Sequence, residues 1–359
     1  MGAVTLGPDT GPGPGPDLDT GTSPVVRGGL ATRLRHPVVG FLVRRTAAGI
    51  VTLWIVSILI FAATNILPGN VAELVLGRNA SPARVHALSA RLGYDRSPVE
   101  RYLSWLGGIL HGDFGHSAVA VALAQPNTSI SSTLADPLWN SLVLALISTV
   151  LLIPITLLLG LIAGLRARRT ADHIISTPAL VLGGLPEFVT GTLLIYVFFS
   201  ALNLLPPVST LRPGQSPFSH ASGLVLPVMT LLAVALGAGI RQVRAGVIEV
   251  LQQDYVQFAR LNGVPQRRIL VRYVLRNAMA PSVQIIAQNI QYLLGGIIVV
   301  ESVFAYPGIG LYLVNAVLAR DTAKVEAAAI ILAALYTLVN IAADLIVVYL
   351  VPKLRTANS

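Results

Sequence analysis

Six apolar stretches divide the chain, each near the length that carries a helix across a bilayer. They run from about Thr46 to Ile66, Asn140 to Leu165, Ile174 to Leu202, Leu224 to Ile240, Ser282 to Val303 and Ala327 to Leu350. The fourth and fifth are separated by a long polar segment with helical spacing, Val247 to Pro281. Val247, Leu251, Tyr255 and Phe258 recur at spacings of three and four, which predicts one face of a helix. Gly263 interrupts that pattern, and Pro265 stands where a second helix begins. In this second helix Arg268, Arg272 and Arg276 fall at successive i+4 positions as a basic stripe, with Leu270, Val274 and Ala278 opposite. Glycine suits the turn because it alone takes positive φ without steric cost.

The remaining segments are polar or broken by Pro and Gly. Residues 1–35 are rich in Gly, Pro, Asp and Thr and bury too little to fold, so a disordered tail is expected, without the charged start and apolar core of a signal peptide. Residues 36–66 hold the first span, and Leu67-Pro68-Gly69-Asn70 ends it. Residues 67–139 read as a small external subdomain, and 140–355 as a core of five spans with a loop at 244–281. The arginine-rich pieces (33–45, 166–169 and 241–276, with Lys353 to Arg355) all fall on one side when the spans alternate. The positive-inside rule makes that side cytoplasmic and puts both termini there, in a multi-pass protein of the cytoplasmic membrane.

Composition agrees with the pattern. Of 359 residues 54% are hydrophobic and 11% charged, against about 25% charged in a soluble domain. The net charge of +9 fits membrane topology and anionic lipid better than nucleic acid, since the basic residues flank the spans. There is no cysteine, which removes disulfides and thiolate metal sites, and His111 and His116 have no ligand spacing. Lys324 and Lys353 are the only lysines and neither follows a glycine, so the Gly-Lys-Ser/Thr of a phosphate-binding loop is absent. No hydrolase or metalloprotease motif appears either. The chain cannot itself hydrolyse ATP through a phosphate-binding loop, so any ATP-driven work would need an ATPase on another polypeptide.

Several spaced motifs carry a resemblance. Ala259 with Gly263 matches Ala-x-x-x-Gly, and Asp254-Tyr255-Val256 and Leu275-Arg276-Asn277-Ala278 match flanking DYV and LRNA. Pro186-Glu187, Val300 to Gly310, and Asn340 with Asp344 resemble LPSFWLG, VETVFSWPGLG and NLLVDLLY. Further matches are Arg91 to Asp95, Tyr102 to Leu106, Gly112 to Gly115, and Pro352 to Arg355. Together these resemble the dipeptide/oligopeptide branch of ABC-importer permeases, from about Arg44 to Arg355. Asn70 and Val351 depart from the usual Asp, and Gln257, Phe258 and Arg276 from the superfamily's Glu, Ala and Pro.

The resemblance implies an all-α integral membrane protein with six transmembrane helices, the type I importer permease fold and a cytoplasmic coupling-helix pair. Asp254, Tyr255, Ala259, Gly263, Val264, Pro265, Arg268 and Arg272 would then contact the ATPase. The implied partners are a second homologous permease, ATPase subunits carrying ATP and Mg, an extracytoplasmic substrate-binding protein, and lipid. No cofactor or metal is expected in this chain. Relatives carrying nickel, glutathione or haem keep the cargo open.

The route is read from polar groups inside spans, which face protein or water. Gln284, Gln288, Asn289 and Gln291 form a polar band read as facing a cavity. Glu187 reads as a pathway residue or a buried hydrogen-bonding one, Glu301 as meeting substrate or capping a re-entrant turn, and Asp344 as accepting hydrogen bonds within the bundle. The rival reading is a secondary transporter driven by an ion gradient, with Glu187, Glu301 and Asp344 as relay groups.

Overall fold

The computed structural model describes residues 37–65, 76–77, 80–93, 95–212 and 214–350, leaving aside the side chains of 37–39, 275–287 and 347–350. The tail at 1–35, the Leu67–Asn70 motif, Tyr94, Pro213 and the Pro352–Arg355 motif lie outside these residues, as do the side chains of Arg276, Ala278 and Gln284.

Among the described residues the structure is helical, with one isolated bridge between His116 and Ser129 and no strand. Helix α1 spans Pro37–Asn65. The region after it holds α2 (Pro82–Arg91), α3 (Pro98–Leu110) and the short α4 (Ala118–Ala122). Each begins as its sequence dictates. Pro82 and Pro98 sit in first turns, where a missing N–H is harmless. Ser97 and Glu100 form a reciprocal capping box on α3, and the Ser117 hydroxyl accepts from Ala120 N. Phe61, Tyr102 and Trp105 pack ring against ring and hold α3 on α1.

Helix α5 (Ile130–Leu165) begins ten residues before the apolar run it contains and carries Pro137 and Pro154 within it. The third apolar stretch, expected as one span, is broken. Helix α6 (Thr170–Gly183) and helix α7 (Glu187–Ile195, continued to Ala201 as a π-helical turn) are bent by 112°. The cause is Pro186, which has no N–H to donate and disfavours helical backbone at Leu185, after Gly183 and Gly184 have let α6 end.

Helix α8 (Ala221–Leu251) crosses the centre and packs on α5, α6, α7 and the later α11. It runs into the polar segment, where α9 (Asp254–Leu261) and α10 (Gln266–Arg268) follow. Residues Ile269–Leu275 are π-helical and lead into α11 (Arg276–Val303), continuous with the fifth apolar stretch. An unexpected short helix, α12 (Ile309–Leu318), precedes α13 (Thr322–Leu350). Helices α1, α5, α8 and α13 are each long and apolar enough to cross a membrane, and the α6–α7 pair passes the same test together. With its 28 residues α11 is about 42 Å long, enough to cross as well.

The main core gathers Leu144 and Leu152 of α5, Leu226 and Leu231 of α8, Leu293, Ile297 and Val300 of α11, then Phe304 and Tyr306. Close approach is achieved with glycine. A Cβ at Gly160 would lie 2.5 Å from Val243 Cβ, and one at Gly164 2.7 Å from Val247 Cβ. Small residues let helices meet backbone to backbone where no aqueous hydrophobic drive holds them.

Candidate functional site

The polar segment folds into an elbow at the end of α8. Its first helix is not the one expected. The chain breaks at Gln252-Gln253, so Val247 and Leu251 close α8 while Tyr255 and Phe258 belong to α9. The buried residues of α9 are Val256 and Ala259 instead, packed with Val243, Val247, Ile269 and Val274. That small core seats the elbow on α5 and α8 and turns Tyr255, Phe258 and Leu261 outward, 40, 66 and 85% exposed. Gly263 makes the turn at φ +73°, with Gly263 N donating to Arg260 O and Val264 N to Ala259 O. Pro265 then begins α10, where Arg268 N donates back to Pro265 O.

The expected arginine stripe meets a π segment. With i→i+5 bonding, the buried positions are Ile269 and Val274, five apart, rather than Leu270 and Val274, four apart. Arg268 and Arg272 are both exposed, as are Asp254 and Pro265, while Val264 is half-buried. The elbow thus offers an apolar stripe from α9 flanked by guanidinium groups.

The residues assigned to a route are scattered. Glu187 opens α7 and is half-buried, lying against Gly296 and beside the Tyr292 hydroxyl of α11. Gln288 is exposed and Gln291 half-buried, whereas Asn289 is buried against Gly239 and Thr156. Asn289 Nδ2, Thr156 Oγ1 and Thr190 Oγ1 are buried without a hydrogen-bond partner among the described residues. Buried donors of this kind are exceptions that need a partner from elsewhere, water included.

Glu301 is fully buried and saturated. It accepts from Ser141 Oγ at 2.5 Å, Gly310 N at 2.7 Å and Leu311 N at 3.3 Å, so it caps α12 from the end of α11. Ser141 Oγ accepts in turn from Ile309 N, and Asn140 Nδ2 donates to Pro307 O, tying the turn to α5. Any side chain at Gly308 would land on the Glu301 carboxylate.

Charged partners missed in the sequence lie at helix ends. Asp344 pairs with Arg45 of α1 rather than serving only as an acceptor inside the bundle. Asp172 in the first turn of α6 takes both Nε and a terminal nitrogen of Arg244 on α8, each at 2.7 Å. Asp321 accepts from Ser117 Oγ and Ala118 N, and Glu326 from Thr64 Oγ1 and Asn65 Nδ2, fastening the start of α4 and the end of α1 to the start of α13. The usable signal was a carboxylate inside or beside an apolar span.

A bundle of apolar helices with a seated polar elbow defines a multi-pass membrane protein. Two family models cover nearly all of it: "Binding-prot-dependent transport system membrane comp, N-term" over residues 38–153 and "Binding-protein-dependent transport system inner membrane component" over 156–356. The chain belongs to this family of binding-protein-dependent inner-membrane transport components. Among its relatives are the oligopeptide transport system permease protein AppB of Bacillus subtilis, 30% identical over 88% of this chain and 99% of that protein. The glutathione transport system permease protein GsiC of Escherichia coli is 31% identical over 88% and 98%. A Brucella abortus protein named for a peptide transport system is 31% identical over the same shares.

Proposed function

We propose that this chain is the transmembrane permease subunit of an ATP-driven importer carrying dipeptides or oligopeptides inward across the cytoplasmic membrane. The observation that carries the mechanism is the elbow: a rigidly seated α9 whose Tyr255, Phe258 and Leu261 face outward beside Arg268 and Arg272. An exposed apolar stripe with a basic rim is the surface of a docking helix. An ATPase subunit, carrying its own ATP and Mg, grips it; a binding protein delivers cargo to the opposite face, where α2–α4 stand. A second, homologous permease completes the pathway. The bundle has six spans with both termini cytoplasmic, α6–α7 counting as one bent span.

Peptide cargo rests on the names of the relatives above. Glutathione, named for one of them, is the second reading. Gln288 and Gln291 line the route in this account, with Glu187 at its edge, while Glu301 holds the α11–α12 turn rather than meeting substrate.

The test is reconstitution of the chain with its permease partner, ATPase and binding protein in vesicles. ATP-dependent uptake of labelled di- and oligopeptides, not displaced by glutathione, is the expected result; gradient-driven uptake by this chain alone overturns the reading. Because the sequence has no cysteine, Leu261→Cys gives a unique label on the elbow. An impermeant maleimide should reach it only in inside-out vesicles, and labelling of intact cells would remove the docking role.

A further inference from the structure

We infer that the Asp172–Arg244 pair is a positioning clasp that makes the bent α6–α7 span follow α8 when the elbow is moved. This rests on the importer reading above and assigns it a residue pair far from the docking stripe. The Asp172 side chain is 3% exposed and its carboxylate is saturated. Besides the two Arg244 contacts at 2.7 Å, it accepts from Arg168 N at 2.8 Å and Ser176 Oγ at 2.9 Å. A forked guanidinium on a carboxylate fixes relative angle as well as distance.

The clasp adds a polar attachment to the packed interface between these helices. That interface includes a backbone contact, where a Cβ on Gly237 would lie 2.7 Å from Gly183 Cα. Gly237 and Arg244 stand seven residues apart on α8, about 10 Å along its axis. A forked polar contact placed that far from the glycine contact opposes rotation of α6 about it. Packing does not do the same work near the clasp. A void of about 260 Å³ opens there, lined by Ser176, Ala179, Leu180, Gly237, Ile240 and Arg241 besides Arg244. Apolar surface of equal size would join the helices at least as firmly, since a buried ion pair is a poor source of net stability. What the pair adds is one geometry.

The two ends of the arrangement make that geometry useful. Arg244 lies seven residues before the end of α8, where the elbow begins. At the far end of α6 the chain turns by 112° into α7, whose first residue, Glu187, touches Gly296 of α11. A displacement of the elbow therefore reaches the wall of the bundle through α8, the clasp and α6, three elements that act as one body while the clasp is closed.

Two measurements on the full assembly decide the matter. In vesicles, the ATP hydrolysed per peptide imported is compared for wild type, Asp172→Asn and Arg244→Lys. A coupling element is expected to change that ratio by at least about fivefold in Asp172→Asn, with membrane abundance unchanged and a smaller rise in Arg244→Lys. Uptake and hydrolysis that fall in equal proportion would mean a merely structural pair and overturn the inference. Should Asp172→Asn not accumulate, wild type decides alone. Spin labels at the exposed positions His173→Cys and Glu249→Cys, in an otherwise cysteine-free chain, report the α6–α8 separation. One distance, the same with and without ATP, supports the clasp; a distance that changes with nucleotide overturns it. Wild type that shows no ATP-driven uptake overturns the importer reading, and this inference with it.

Discussion

Helices α1 and α8 are similarly apolar, yet 72% of the most apolar stretch of α8 is buried within the chain and only 11% of that of α1. The most apolar stretch of α13, the main neighbour of α1, is likewise 11% buried. The difference lies in what each presents. Around α8 stand Gly160, Gly164 and Gly183 from its neighbours, and its own Gly237 and Gly239, all so close that no side chain fits. Around α1 the side chains of Ile50, Trp54, Ile58 and Leu59 point outward to lipid or to a further subunit. The same contrast divides two long-range ion pairs of the described residues, since the carboxylate side chain is 3% exposed in Asp172–Arg244 on the α8 side and 29% in Asp344–Arg45 on the α1 side. One region is a packed shaft and the other an outer arm, and mutations should register the distinction.

The largest effect is expected at the clasp. Asp172→Ala leaves a guanidinium facing a void and should destabilise by about 3–5 kcal/mol, read as lost membrane abundance and early unfolding in detergent titration. Next comes Gly164→Leu, which forces apart α5 and α8 and should cost about 1–3 kcal/mol, whereas Ala47→Leu on the exposed side of α1 should fall within about 0.5 kcal/mol. Gly263 separates backbone from packing, since a Cβ there would touch nothing and the penalty is purely conformational at φ +73°. Gly263→Val should lose about 1–2 kcal/mol locally and impair ATP-coupled uptake at normal abundance, while Gly263→Asn stays near wild type. Normal uptake by the valine variant would remove the turn from the mechanism. The smallest effect belongs to Arg45→Ala, at most about 1 kcal/mol and weaker still in high salt, since the Arg45 side chain is 46% exposed. A loss as great as that of Asp172→Ala would erase the contrast between shaft and arm.

Much of this was legible in the sequence. Apolar runs located α1, α5, α8, α11 and α13 to within several residues at one end or the other, because helix length in a bilayer is set by its thickness. Gly263 and Pro265 marked the turn of the elbow, since local backbone chemistry alone requires them there. The spacing placed Val247, Leu251, Tyr255 and Phe258 on one face of a single helix, whereas they divide between α8 and α9. Spacing of four assumes an unbroken α-helix, and neither the stop at Gln252-Gln253 nor the π turn after Arg268 changes hydrophobic periodicity enough to be seen. Likewise the apolar run of the third span gives no sign of its break at Pro186, although proline followed by a carboxylate is also how a helix begins.

What the sequence alone determined, then, is everything set by neighbours a few residues apart: an all-helical membrane chain, its apolar runs, its glycine turn and its family motifs. Tertiary structure decided which of the similarly apolar helices is the shaft, that Glu301 caps α12, and that Asp172 meets Arg244 across 72 positions. The physical reason is that hydropathy measures only how much a residue avoids water. Whether lipid or protein takes water's place depends on which backbones can approach, and on which distant charge lies within hydrogen-bond reach.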